Sequence, residues 1–298
     1  MAVLEPYRGN YYLWKYLPSL EGAAISAALF GIVTIAHTLR LSKNRSWFAI
    51  PFPIGGMMEV IGFATRAVAR EKTGQLMPYV IQNTNILLAP VFFAASIYMT
   101  LGRLIRMTNG ERHSIISLKW LTKIFVTGDV LSLMVQGGGA GMMVMDDFAH
   151  MAEKIVIGGL LIQIIIFGLF IITVTMFHIR MRRDPVSKHA VAGGFEWEPT
   201  IWMLYIVSVL VMGRSIFRVA EFVMGTDGYL LSHEWPLYLF DALPMFAVMA
   251  VFWYWWPMTS LRRSSWASEE SESESYETLR VRSEVHKDYR SSSSGIPT

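Results

Sequence analysis

Seven stretches of roughly 20 mainly apolar residues follow one another along the chain, and that is the length of α-helix needed to cross ~30 Å of hydrocarbon. Lipid offers no partner to a backbone N–H or C=O, so an open run of this kind has to close its hydrogen bonds within itself, as a helix. The expected spans are residues 20–39, 48–69, 77–99, 121–139, 155–177, 200–222 and 235–256. A hydrophobic share of 53% agrees with membrane spans rather than with soluble domains. The predicted fold is an all-α membrane protein, a seven-transmembrane helix bundle over residues 20–257. An aromatic lead, 1–19, carries Tyr7, Tyr11, Tyr12, Trp14 and Tyr16, residues that favour the headgroup level. A Ser/Glu-rich tail, 258–298, buries too little apolar surface to fold alone and is expected to be disordered.

Charge between the spans sets an orientation. The connections between spans 1 and 2, 3 and 4, and 5 and 6 hold Arg40, Lys43 and Arg45; Arg103, Arg106, Arg112 and Lys119; and Arg180, Arg182, Arg183 and Lys188. The connection between spans 6 and 7 has no Lys or Arg, and that between 4 and 5 only Lys154. Positive residues favour the cytoplasmic side, which predicts an outside N-terminus and a cytosolic C-terminus.

Ionisable groups inside the spans are the candidates for function. Each costs at least ~2.5 to 3.5 kcal/mol at a helix centre, so such groups face partners or water-filled cavities. Arg214, Arg218 and Glu221 stand at i, i+4 and i+7, which stacks them on one helix face. Glu234 and Asp241 follow, Asp241 inside the next span. Glu59 and Arg66 share a face of span 2, and Asp129 and Gln136 share one of span 4; Gln163 is the main polar group of span 5. A buried network of Arg214, Arg218 and Glu221 with Asp241 and either Glu59 or Asp129 is expected. Four acids in the spans (Glu59, Asp129, Glu221, Asp241) face three arginines (Arg66, Arg214, Arg218), a surplus of one acid. Asp129 is the first choice for meeting a substrate amine, because no Lys or Arg accompanies it within its span, and Glu59 the second.

Several chemistries lack their residues. The chain has no cysteine, so disulfides and thiolate metal sites are excluded. No His-Glu-x-x-His, P-loop or Gly-x-Ser-x-Gly occurs, and the glycines at 137, 138, 139 and 141 follow no strand, so they read as close helix approach or a bend. His37, alone near the end of span 1, reads as a snorkelling or hydrogen-bonded residue rather than a ligand. Neither an enzyme, a cofactor, a metal nor a nucleic-acid partner is expected, and nothing in the sequence sets an oligomeric state.

The run "FRVAEFVMGTDGYLLSHEWPLYLFDALPM" (217–245), with Arg214 just before it, resembles the signature of the fungal lipid-translocating exporter family. The resemblance continues in "EVIGFATR" (59–66), "LAPVFFAASIYMTLGRLI" (88–105), "IFVTGDVLSLMVQGGGAG" (124–141) and "GLLIQIIIFGLF" (159–170). It implies a seven-helix protein of the plasma membrane that moves amphipathic lipids, such as sphingoid long-chain bases or aminosterols, towards the outer leaflet. Helix count and orientation alone are equally compatible with a seven-helix receptor or a lipid or stress sensor.

Overall fold

The computed structural model describes residues 4–7, 12–44, 47–108, 110–142, 149–183, 197–225 and 228–255. The Ser/Glu-rich tail and the charged loop positions Arg45, Lys188 and Asp227 fall outside the described residues.

The described residues form helices α1 (Leu20–Asn44), α2 (Pro51–Ala69), α3 (Leu76–Met107), α4 (Leu118–Met142), α5 (Ala149–Arg183) and α6 (Glu198–Val223). A single turn, α7 (Tyr229–Ser232), leads to a π-helical segment at Leu237–Ala242 that runs into α8 (Leu243–Trp255). Among the described residues there is no strand. Proline opens α2 and α6, where its missing N–H is one the first turn leaves unpaired anyway. The long helices overrun the expected spans: α3 has 32 residues and α5 has 35, because their polar last turns continue the helix past the hydrocarbon.

Six of the expected spans are helices long and apolar enough to cross a membrane. The exception is α4. Its 25 residues reach about 37 Å at 1.5 Å per residue, so length is not the obstacle. Asp129, Gln136 and the glycines at 137–139 dilute its apolar content.

Consecutive helices pack side by side from α1 to α6, α8 lies against α6 and touches α1, and α3 also touches α6. The most enclosed is α3: two thirds of its apolar window (67%) is buried, against 22% for α1. Its residues Phe93, Ile97, Tyr98 and Leu101 are fully covered and anchor the core. Between α4 and α5 the close approach requires glycine: a Cβ on Gly159 would lie 2.7 Å from Gln136 Cγ and 3.0 Å from the Ser132 carbonyl, and one on Gly128 would lie 2.5 Å from Ile166. Of the glycines read for close approach, Gly139 meets Val156 and Ala152, whereas Gly137 and Gly138 face open space.

The aromatic lead is part of the bundle. Trp14 is buried and packs edge-on to Tyr79 of α3 with ring centres 5.4 Å apart, and Glu5 N–H donates to Thr73 Oγ1 at the α2–α3 turn.

Candidate functional site

The first cluster sits among α2, α6 and the π segment. Arg214 Nε and Arg218 Nη2 both reach Asp241, one on each carboxylate oxygen, and Arg218 Nη1 donates to Glu221 Oε2 at 2.8 Å. All four side chains are buried. The i, i+4, i+7 spacing on α6 thus becomes a column about 10 Å tall with Asp241 bridging its lower two members. Arg214 has a further task. Pro90 has no N–H to give the Ile86 carbonyl four residues back, and Arg214 Nη2 supplies that bond at 2.9 Å. Pro90 therefore lies inside a continuous α3, its freed carbonyl answered from α6. On the facing helix, Pro244 likewise cannot continue the regular ladder. There the chain takes the wider turn, with Leu243 N–H on the Tyr238 carbonyl. Asp241 is presented by that turn.

Glu59 of α2 is buried within electrostatic reach of Asp241, Arg214 and Arg218, and its Oε2 has no hydrogen-bond partner among the described residues. Asp129 is not part of this cluster.

Asp129 belongs to a second cluster among α3, α4 and α5. Tyr98 donates its hydroxyl hydrogen to Asp129 Oδ2 at 2.8 Å, and Oδ1 has no hydrogen-bond partner among the described residues. Ser132 and Gln136 continue the same face of α4: Ser132 Oγ donates to the Gly159 carbonyl at 2.6 Å, and Gln136 Nε2 donates to Ser132 Oγ at 2.8 Å and to Gln163 Oε1 at 3.1 Å. Helix α3 touches both clusters, through the Ile86 carbonyl and through Tyr98, twelve residues or about 18 Å apart.

Arg66 is separate from both. Its guanidinium donates to Glu234 Oε1 at 2.8 Å and to the Tyr16 hydroxyl at 2.9 Å, with the faces of Trp14, Tyr16 and Tyr238 around it. Ser19 N–H donates to both oxygens of Glu234, 3.0 Å each, and Tyr238 donates its hydroxyl hydrogen to Oε1 at 3.0 Å. Burial alone would raise the Glu234 carboxyl, but Arg66 and the Ser19 N–H outweigh it and hold the group below the usual carboxylate value. Burial pushes the Tyr16 hydroxyl up, so Tyr16 stays a donor-bearing phenol beside the arginine.

Arg66 therefore takes its acid from outside the spans, which changes the charge balance expected from the sequence. Arg214 and Arg218 are answered by Asp241 and Glu221, and Arg66 by Glu234. Two acids, Glu59 and Asp129, are left without an ion pair among the described residues, where the count of charges in the spans predicts one. The pairing of Arg66 with Glu234 was missed because 168 positions separate them. Tyr98 and Tyr16 were missed because a tyrosine in an apolar run carries no charge signal. Ser132 was findable, since it is three residues from Asp129 and four from Gln136 on their shared face. His37 Nε2 lies 3.0 Å from the Met249 carbonyl. No group of three His, Cys, Asp or Glu gathers as a metal site among the described residues.

A chain whose described residues include six membrane-length apolar helices, with paired charges in their interior, is an integral membrane protein. Residues 52–264 match the family described as RTA1 like protein, and the chain belongs to that family. Three relatives from Saccharomyces cerevisiae place it further. Protein RTA1 is 34% identical over 281 residues, covering 86% of this chain and 88% of the relative. Protoporphyrin uptake protein 1 is 36% identical, with coverage of 82% and 91%. The sphingoid long-chain base transporter RSB1 of strain RM11-1a is 29% identical over 288 residues, with coverage of 79% and 75%. Two of the three thus carry transport or uptake names. No solved structure matches the chain.

Proposed function

We propose that this protein carries amphipathic lipids, cationic ones such as sphingoid long-chain bases or aminosterols first, from the cytoplasmic to the outer leaflet of the plasma membrane. Seven helices cross in this reading, α4 among them, with the basic connections in the cytosol. The supporting observation is Asp129: a buried carboxylate with one oxygen held by Tyr98 and the other open to a second donor. A lipid ammonium can take that place while its alkyl chain stays in apolar surroundings, which avoids moving a bare charge through hydrocarbon. From Asp129 the polar face of α4 continues for about 10 Å through Ser132 to Gln136, which meets Gln163 of α5, and these side chains offer oxygen acceptors that a passing ammonium or hydroxyl can use. An anionic cargo finds less, because Arg66, Arg214 and Arg218 are already answered by acids.

The test is movement of labelled sphinganine between leaflets of liposomes containing the purified full chain. Transfer faster than in protein-free liposomes supports the reading; none, with or without an imposed potential, favours a receptor or sensor. The orientation has its own check. The sequon at Asn44 lies in the first basic connection, so Asn44 stays unglycosylated in cells, and a glycan there contradicts it.

A further inference from the structure

We propose that Glu59 is a proton-binding site, reached from the Arg66 end of the bundle, that couples lipid movement to a proton moving the opposite way. The inference rests on the transport reading above for its consequence, but the site stands on its own geometry. Glu59 is buried, its Oε2 has no hydrogen-bond partner among the described residues, and it lies within electrostatic reach of Asp241, Arg214 and Arg218 in the polar column that Glu221 completes. Going up α6, that column brings hydrogen-bonded groups to within two residues of the helix end at Val223. In the other direction the buried polar groups include Thr34, beside Gly56, and His37, whose ring lies 4.9 Å from that of Phe52. Phe52, about 10 Å down α2 from Glu59, stacks on Phe252 at 4.4 Å and meets Phe93 at 4.9 Å, an aromatic cluster between Glu59 and the basic end.

The groups acting on Glu59 define how it titrates. From α6 come Arg214 and Arg218, with Glu221 behind Arg218; from the π segment comes Asp241, engaged by both arginines. On α1, His37 is held at the Met249 carbonyl; on α3 Tyr79 lies against Trp14 and Tyr98 on Asp129, with Arg103 and Arg106 towards the basic end; on α2 itself Arg66 is taken by Glu234. The arginines and their acids balance, so the cluster is neutral when Glu59 carries a proton and has one negative charge when it does not. The step is an O–H bond forming at the Glu59 carboxylate with a proton from water at the Arg66 end, and breaking again when the proton leaves on the other side. Nothing is oxidised or reduced, and one proton inward against one ammonium outward leaves the membrane potential unchanged. Asp129 and Glu59 then divide the work, one meeting the amine and the other the proton.

The experiment loads liposomes carrying the full chain with a pH-sensitive dye and adds N,N,N-trimethylsphingosine, whose permanent charge cannot itself carry a proton. Expected is proton flux opposite to the lipid in a ratio of about one, falling towards zero in Glu59→Gln. Lipid movement with no proton flux in the parent chain, or an unchanged ratio in Glu59→Gln, overturns the proton coupling and leaves the transport reading intact. Absence of any lipid movement overturns transport instead. The site is then decided by infrared spectroscopy of the purified chain: a protonated-carboxyl stretch that titrates with pH and disappears in Glu59→Gln supports it, and the lack of such a band overturns it. Should the glutamine variant fail to fold, Glu59→Asp must keep the band at a shifted frequency and pH, and an unshifted band counts against the assignment.

Discussion

Asp241 joins both arginines of α6, and this makes the energetics of its removal predictable in sign. In the parent chain two arginines face two acids, Asp241 and Glu221, all of them buried. Asp241→Leu leaves two positive charges against one negative; Arg214→Met leaves the reverse. Removing one partner of a buried pair typically costs ~3 to 5 kcal/mol, because the other stays desolvated and unanswered. For Asp241→Leu a cost within that range is expected: Arg218 keeps Glu221, and Arg214 keeps the Ile86 carbonyl and the field of Glu59. Arg214→Met should cost slightly less on the charge side and adds the loss of the donor that serves that carbonyl. The double variant leaves Arg218 with Glu221, one charge of each sign, and should cost less than either single change plus the ~1 to 3 kcal/mol of an unsatisfied buried carbonyl. Unfolding free energies of the four proteins in lipid bicelles, by SDS titration, give the coupling. An additive double variant, twice as damaged as the singles, would refute the claim that the two side chains neutralise each other.

Two further outcomes follow from other parts of the molecule. Glu234 has its carboxyl held below the usual value in the folded chain, so the stability it contributes is present at neutral pH and is lost as pH falls through that lowered value. Hydrogen exchange at Ser19 N–H, corrected for intrinsic rate, should show protection at neutral pH that disappears in acid as the Glu234 carboxyl takes up its proton; Glu234→Gln should lose much of it already at neutral pH, and equal protection in both proteins would contradict the Ser19–Glu234 contact as its source. Gly159→Ala should destabilise the chain by about 1 to 3 kcal/mol in thermal unfolding, since its Cβ collides with Gln136 and the Ser132 carbonyl, while Gly137→Ala, facing open space, should be neutral or stabilising by up to ~1 kcal/mol.

Much of the architecture was legible because membrane spans are written in one dimension: a run of the right length without charges is enough, and six such helices stand where they were expected. Helix α4 was less legible, since the residues that serve its packing and polar face are those that dilute its hydropathy. Within the site, the column of Arg214, Arg218 and Glu221 could be read from spacing alone, because helical periodicity places them. Their meeting with Asp241 could be expected from charge, but the choice between Glu59 and Asp129 as a neighbour could not. It depends on which helices lie side by side, and α3, touching α2, α4 and α6, keeps Asp129 with Tyr98 and Glu59 with the arginines. The pairing of Arg66 with Glu234 and Tyr16 was invisible for a related reason. Its partners come from the lead and from the α7–α8 connection, and neither segment has a periodic pattern linking it to α2.

The most direct test of the account compares two lipids in two proteins. Liposomes carrying the parent chain or Asp129→Asn, at matched amounts of folded protein, receive either labelled sphinganine or its N-acetyl derivative, which keeps the alkyl chain and loses the cation. Asparagine still accepts the Tyr98 hydroxyl hydrogen but offers an ammonium no negative charge. The expected result is faster movement of sphinganine than of the acetylated lipid by the parent chain, with that preference reduced by about tenfold or more in the variant, the equivalent of ~1.4 kcal/mol or more of charge-assisted contact. Identical preferences in the two proteins would contradict the assignment of Asp129 as the group that meets the lipid amine.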